Sequence, residues 1–145
     1  MPDLEKKKNV LFFPFLSDTT KEIHIIYRRR MPTAIVHTNV PGDKVKDTDF
    51  ALELSKIVAR VIGKPEQYVM TNVHTDQIMT YSGKQDPCAF VRIVSIGGLN
   101  PETNVSLSEE ICGLLQDRYG VDPSRSYIEF VDSERHMFGW NSRTF

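Results

Sequence analysis

The chain has 145 residues, 40% of them hydrophobic and 26% charged, which fits one globular domain with a single core and excludes a disordered polypeptide. No apolar run approaches the roughly 20 residues that a transmembrane helix needs, so no membrane partner is expected. The formal net charge is -1, and a mildly acidic body argues against nucleic acid as the main partner.

Charge is spread unevenly along the chain. Residues 1–30 hold seven Lys/Arg against four Asp/Glu, whereas the remainder holds 11 against 15. Lys6-Lys7-Lys8 precede the apolar run Val10 to Leu16, and Arg28-Arg29-Arg30 close the segment. The run is short, Pro14 interrupts it and no small-residue cleavage site follows, so the pattern of a secretory leader is not met. Residues 1–31 are expected to be an N-terminal extension: a retained arm, a processed segment or an upstream extension of the reading frame. The folded domain is expected to span 32–145.

Met31-Pro32 opens a strand over 33–40, closed by the turn signal Pro41-Gly42-Asp43. A proline that begins a strand does no harm, because its missing N–H is not needed there. Met-Pro also reads as a translation start whose methionine is later removed, which would leave Pro32 with a free secondary amine. Asp47 or Thr48 is then expected to cap a helix. Phe50, Leu54, Ile57, Val58 and Val61 fall on one helical face, and Gly63 with Pro65 supplies the stop. Tyr68 to His74 reads as a second strand. Residues 75–87 are turn-rich, with a short strand expected at Ile78–Tyr81.

The pattern then repeats. Ala89–Ile96 is a strand and Gly97 to Pro101 a loop. Ser106 to Glu109 has the spacing of a capping box. Leu107, Ile111, Leu114 and Leu115 form a second apolar face, Gly120 and Pro123 end it, and Tyr127–Val131 is a strand. The expected fold is α+β: a tandem β-α-β repeat in a four-stranded sheet, with two helices on one face. The other sheet face would then lie open in a small domain, which predicts self-association. Phe138, Trp140 and Phe145 would suit as interface anchors. Cys88 and Cys112 define neither a disulfide framework nor a metal site, and are expected to be free thiols of a reducing compartment. The four histidines have no metal-ligand spacing, so no metal is expected.

In order and nearly in spacing, the last 115 residues resemble the macrophage migration inhibitory factor and D-dopachrome tautomerase family. The resemblance is carried by Met31-Pro32, Thr38-Asn39-Val40-Pro41, Gly63-Lys64-Pro65, Tyr68, Asp76-Gln77 and Asp86-Pro87-Cys88-Ala89. It continues through Ser95-Ile96-Gly97, Cys112-Gly113-Leu114-Leu115, Tyr127-Ile128 and Gly139-Trp140-Asn141-Ser142. Residues 1–30 have no counterpart. The resemblance implies a homotrimer with active sites at the subunit interfaces and no cofactor. It also implies keto-enol exchange on small aromatic substrates of the phenylpyruvate and dopachrome type. A cytokine-like extracellular role is implied too, with a cell-surface receptor as partner, in proteins found in the cytoplasm and secreted without a signal peptide.

By the same resemblance Pro32 is the catalytic acid-base group. Lys64 binds the substrate carboxylate or enolate oxygen, and Ile96 and Phe138 line the pocket. Tyr127 is donated by the neighbouring subunit. Plain structural roles remain open: Lys64 as a last-turn cation on a helix dipole, Ile96 as core, Tyr127 as an ordinary strand residue. Two departures stand out. Glu129 replaces an asparagine of the mammalian cytokine, and would repel an anionic substrate unless it points away or pairs with Lys64. Cys88-Ala89-Phe90-Val91 lacks the second thiol of a Cys-x-x-Cys, so thioredoxin-like redox activity is not expected. Two rivals to the tautomerase follow. One is a receptor-binding protein with a vestigial or blocked pocket. The other is decarboxylation or dehalogenation, which calls for arginines near the proline; none is found outside Arg28 to Arg30.

Overall fold

A computed structural model describes residues 31–145; the expectations placed on residues 1–30 lie outside the described residues. A four-stranded sheet carries the domain, built from β1 (Thr33–Thr38), β2 (Met70–His74), β3 (Ala89–Ser95) and β4 (Ser126–Asp132) in the order β2-β1-β3-β4. Helix α1 (Lys44–Ile62) connects β1 to β2, and α2 (Pro101–Tyr119) connects β3 to β4. Each connected pair is parallel, and the two halves join antiparallel through β1 and β3. This is the expected tandem repeat.

The strands alternate as half-buried strands should. Ala34, Val36, Val91 and Ile93 point to the helices and are fully buried. Phe50, Leu54 and Val58 of α1 and Leu107, Ile111 and Leu115 of α2 close over them in one core. Each such side chain contributes about 1.5–3 kcal/mol through burial. The opposite sheet face is lined by Thr33, Ile35, His37, Met70, Asn72, His74, Phe90, Arg92, Val94, Tyr127, Glu129 and Val131, none of them classed as buried.

Both helices begin earlier than their apolar stripes suggest. Asp43, not Asp47 or Thr48, caps α1, its carboxylate accepting from Val45 N and Lys46 N at 3.0 and 2.9 Å. Asn100 caps α2 by accepting from Thr103 N at 2.9 Å, with Pro101 in the first turn, so Ser106 is interior to the helix. The first turn of each helix contains no buried residue, so it leaves no core-facing position for periodicity to detect. Both helices end as expected, on Gly63 and Gly120 at φ 74° and 64°. Tyr68 belongs to a 3-10 turn at Glu66–Tyr68 rather than to β2.

The strand expected at Ile78–Tyr81 is absent. Only a bridge between Tyr81 and Lys84 forms there. The carbonyls of this loop are met by one guanidinium instead: Arg125 donates to Pro87 O and Asp86 O at 3.0 Å each, with its charge 5.3 Å from the Tyr81 ring. The C-terminal residues fold into a short hairpin of β5 (Gly139–Trp140) and β6 (Arg143–Thr144). Cys88 and Cys112 are free thiols. No helix among the described residues is long and apolar enough to cross a membrane.

Candidate active site

One end of the sheet gathers the start of β1, the start of β2 and the ends of β3 and β4. Pro32 sits there with its ring fully buried, directly before β1, and its carbonyl accepts from Met70 N at 3.0 Å. That bond ties Pro32 to the first residue of β2. By continuation of the β1–β3 register, Ser95 lies opposite Pro32, and Ser95 in turn pairs with Asp132.

Lys64 approaches the same end from α1. Gly63 takes the left-handed conformation that ends the helix, and Lys64 N donates back to Ala59 O at 2.7 Å. The side chain is only 6% exposed, a degree of burial that lysines rarely reach. Ile96, buried, lies one residue past the end of β3. Its backbone is braced by a small polar knot. Ser95 Oγ donates to Gly97 O at 2.7 Å, Asp132 Oδ1 accepts from Gly97 N at 2.8 Å, and Ser133 N donates to Ser95 O at 2.9 Å. Gly97 and Gly98 adopt φ of 69° and 82°, which lets the chain turn away sharply after Ile96.

Phe138 follows a 3-10 turn at Arg135–Met137, and Phe145 N donates to its carbonyl at 3.3 Å. The Phe145 ring stands 6.4 Å from that of Phe138 and stacks on Trp140 at 5.8 Å. Phe138 is thus one member of an aromatic cluster. The roles of Ser95 and Asp132 escape sequence reading, because their partnership depends on register across two strands 37 positions apart.

Tyr127 lies elsewhere. It faces the open side of the sheet at 64% exposure, in register with Phe90 and hence with His37. Five residues of β4 separate it from Asp132, which at about 3.3 Å per residue is roughly 16 Å. Within one chain Pro32 and Tyr127 belong to opposite ends of the sheet. The Tyr127 ring packs tilted against that of Tyr81, centroids 5.2 Å apart, and the Tyr81 phenol is raised above its ordinary range, chiefly by the hydrogen bond to Tyr127. Glu129, two residues on, pairs with Arg92, Oε2 to Nε at 3.0 Å. Its charge is therefore countered across the β3–β4 ladder.

Among the described residues no group of three or more His, Cys, Asp or Glu lies together as a metal site would require. One end of the sheet thus holds the buried Pro32, with the buried Lys64 and Ile96 at the ends of the elements that lead to and from it.

The family model described as macrophage migration inhibitory factor matches residues 31–145. Over 115 residues the chain is 44% identical to the macrophage migration inhibitory factor of Rattus norvegicus, covering 79% of this chain and 99% of that protein. It superposes on the homologue from Prochlorococcus marinus with a TM-score of 0.75 at 34% identity, covering 78% of this chain and 98% of that one. A similar match, TM-score 0.76 at 31% identity, is made to the related protein of Entamoeba histolytica, covering 79% of this chain and 99% of that one.

Proposed function

Since the chain belongs to the macrophage migration inhibitory factor family over residues 31–145, we propose that it is a keto-enol tautomerase of the phenylpyruvate and dopachrome type. Pro32 serves as its acid-base group. The observation that carries this reading is the convergence of a buried Pro32 and a buried Lys64 at one end of the sheet.

With Pro32 as the amino terminus, its nitrogen is a secondary amine held in a rigid ring. An ordinary α-amine titrates near ~8, and desolvation together with a nearby ammonium lowers that value, leaving a free base at neutral pH. The amine takes a proton from the benzylic carbon of the keto acid, giving an enolate. The resulting ammonium returns a proton to the enolate oxygen, and the reverse sequence regenerates the ketone. Lys64 holds the carboxylate or the developing enolate oxygen, where a water-poor pocket makes its charge count most. Ile96 and Phe138 supply the apolar wall. Tyr127 reaches the site from a neighbouring copy, because its own Pro32 is too far away. A homotrimer joined through the open sheet faces supplies that neighbour.

A second reading has its own support. In the 145-residue chain Met31 acylates the Pro32 nitrogen, whose lone pair is then delocalised into the peptide carbonyl. A protein in that state keeps the pocket without the base, and would act as a receptor-binding, cytokine-like ligand outside the cell. Assaying phenylpyruvate tautomerisation by the 145-residue form and by the form beginning at Pro32, side by side, decides between them. Activity confined to the shorter form is expected. Equal turnover by the intact longer form would remove Pro32 from the mechanism.

A further inference from the structure

We infer that Arg92 is a positioning residue that sets the charge selectivity of the site, by holding Glu129 in a neutral pair beside Tyr127. The inference rests on the reading that Tyr127 completes the site of a neighbouring copy. Tyr127 and Glu129 are alternate residues of β4 on one face, so their backbones lie about 7 Å apart. Whatever Tyr127 touches in a neighbour, Glu129 is close enough to influence electrostatically.

Left alone, Glu129 would set a negative charge against a keto acid. Arg92 stands directly across from it in the β3–β4 register, and the pair is joined at 3.0 Å with the two side chains 48% and 46% exposed. Among the described residues, the strand neighbours of the pair bring no further charged side chain. Ile35 flanks Arg92 in the same row of the sheet; Phe90, Val94, Tyr127 and Val131 flank the pair along the strands. The next row holds His37 and His74, stacked on each other at 4.5 Å.

An exposed pair of this kind contributes little to stability in water. A second copy covering the face would exclude water and its ions, and an uncompensated carboxylate there would act over a longer range. The planar guanidinium suits the role, since it holds its geometry and its charge at any working pH. The pair thus presents nearly zero net charge to a bound anion.

The test uses the Pro32-initiated form at low salt and measures calorimetric affinity for phenylpyruvate and for its uncharged methyl ester. Arg92→Ser is expected to weaken phenylpyruvate binding about three- to tenfold and to leave the ester unchanged, a charge effect that fades at about 0.5 M salt. In turnover the change should appear in KM rather than kcat. Glu129→Gln should tighten phenylpyruvate binding, while Arg92→Ser with Glu129→Gln returns near the parent ratio and shows that the fold survives. Arg92→Lys should retain most of the parent ratio. If Arg92→Ser moves both ligands equally or neither, the pair is only structural and the inference falls. Charge-dependent binding without turnover would overturn the Pro32 assignment and leave the inference standing. Failure of the unaltered form to bind either ligand would overturn both.

Discussion

The nitrogen of Pro32 is a tertiary amide for as long as Met31 precedes it, and a secondary amine once Met31 is removed; no other atom of the proposed site would change its chemistry so completely. Pro32→Gly in the Pro32-initiated form keeps a terminal amine but loses the ring that fixes its direction and its secondary basicity. Turnover of phenylpyruvate is expected to fall at least ~100-fold with the fold intact by circular dichroism. Lys64→Ala should act differently, raising KM about tenfold with a smaller effect on kcat, because the electrostatic clamp proposed for the substrate anion is lost. A variant at Lys64 that lowers kcat alone would recast it as part of the proton transfer. Gly42 illustrates close packing rather than chemistry. Its N–H donates to Asp76 Oδ2 at 2.9 Å, and a Cβ at this position would meet that same oxygen at 2.9 Å as well as Thr75 Oγ1. Gly42→Ala is therefore expected to cost about 1–3 kcal/mol in urea titration.

Helix-to-helix order depends on Asp47 in the first turn of α1. One carboxylate oxygen accepts from Tyr119 Oη at 2.6 Å, at the last residue of α2, and the other from Thr75 Oγ1 at 3.1 Å. The Tyr119 ring packs 4.8 Å from Phe50. Burial first, then the hydrogen bond to Asp47, raises the Tyr119 phenol well above its ordinary range. The sign follows directly. The unfolded chain loses the phenolic proton near pH 10 while the folded chain keeps it, so stability from this group is present below about pH 10 and declines as pH rises further. Tyr119→Phe keeps the ring and removes the hydroxyl. It is expected to cost about 1–2 kcal/mol at pH 7, with the gap from the parent shrinking between about pH 9.5 and 11.5 in thermal melts. A gap that widened with pH would contradict the bond. The ion pairs Arg60–Glu110 and Arg118–Glu53 also join the helices, but exposed pairs contribute little to stability in water.

At the scale of the whole molecule, the open face and the separation of Tyr127 from Pro32 make the same demand. A face bearing Phe90, Met70, Ile35 and Val94 favours a covering partner, and in the proposed tautomerase the Pro32 site takes its tyrosine from another copy. Sedimentation of the Pro32-initiated form should give a trimer at micromolar concentration; a stable monomer would defeat the assembly. Sharing of sites has a sharper test. Chains carrying Pro32→Gly and chains carrying Tyr127→Ala, each impaired alone, should recover about a quarter of parental activity when refolded together in equal amounts, since random assortment reunites both intact residues in that fraction of sites. No recovery would place Tyr127 outside the site.

Much of this architecture is written locally. Alternation from Thr33 to Thr38 and from Ala89 to Ser95, with glycines ending both helices, determines four strands, two helices and the faces they bury, because each signal arises from contacts a few residues apart. Pro32, Lys64, Ile96, Tyr127 and Phe138 were likewise legible as candidates through their resemblance to a family pattern. What the sequence could not decide is which of them share a space. Asp43 and Asn100 are not legible as caps by periodicity, because the first turns they begin bury no residue. Arg92 opposite Glu129, Ser95 and Asp132 around Gly97, and Tyr127 some five residues along the sheet from Pro32 all depend on strand register. Register is settled by the packing of the entire sheet against both helices, a property of no single segment.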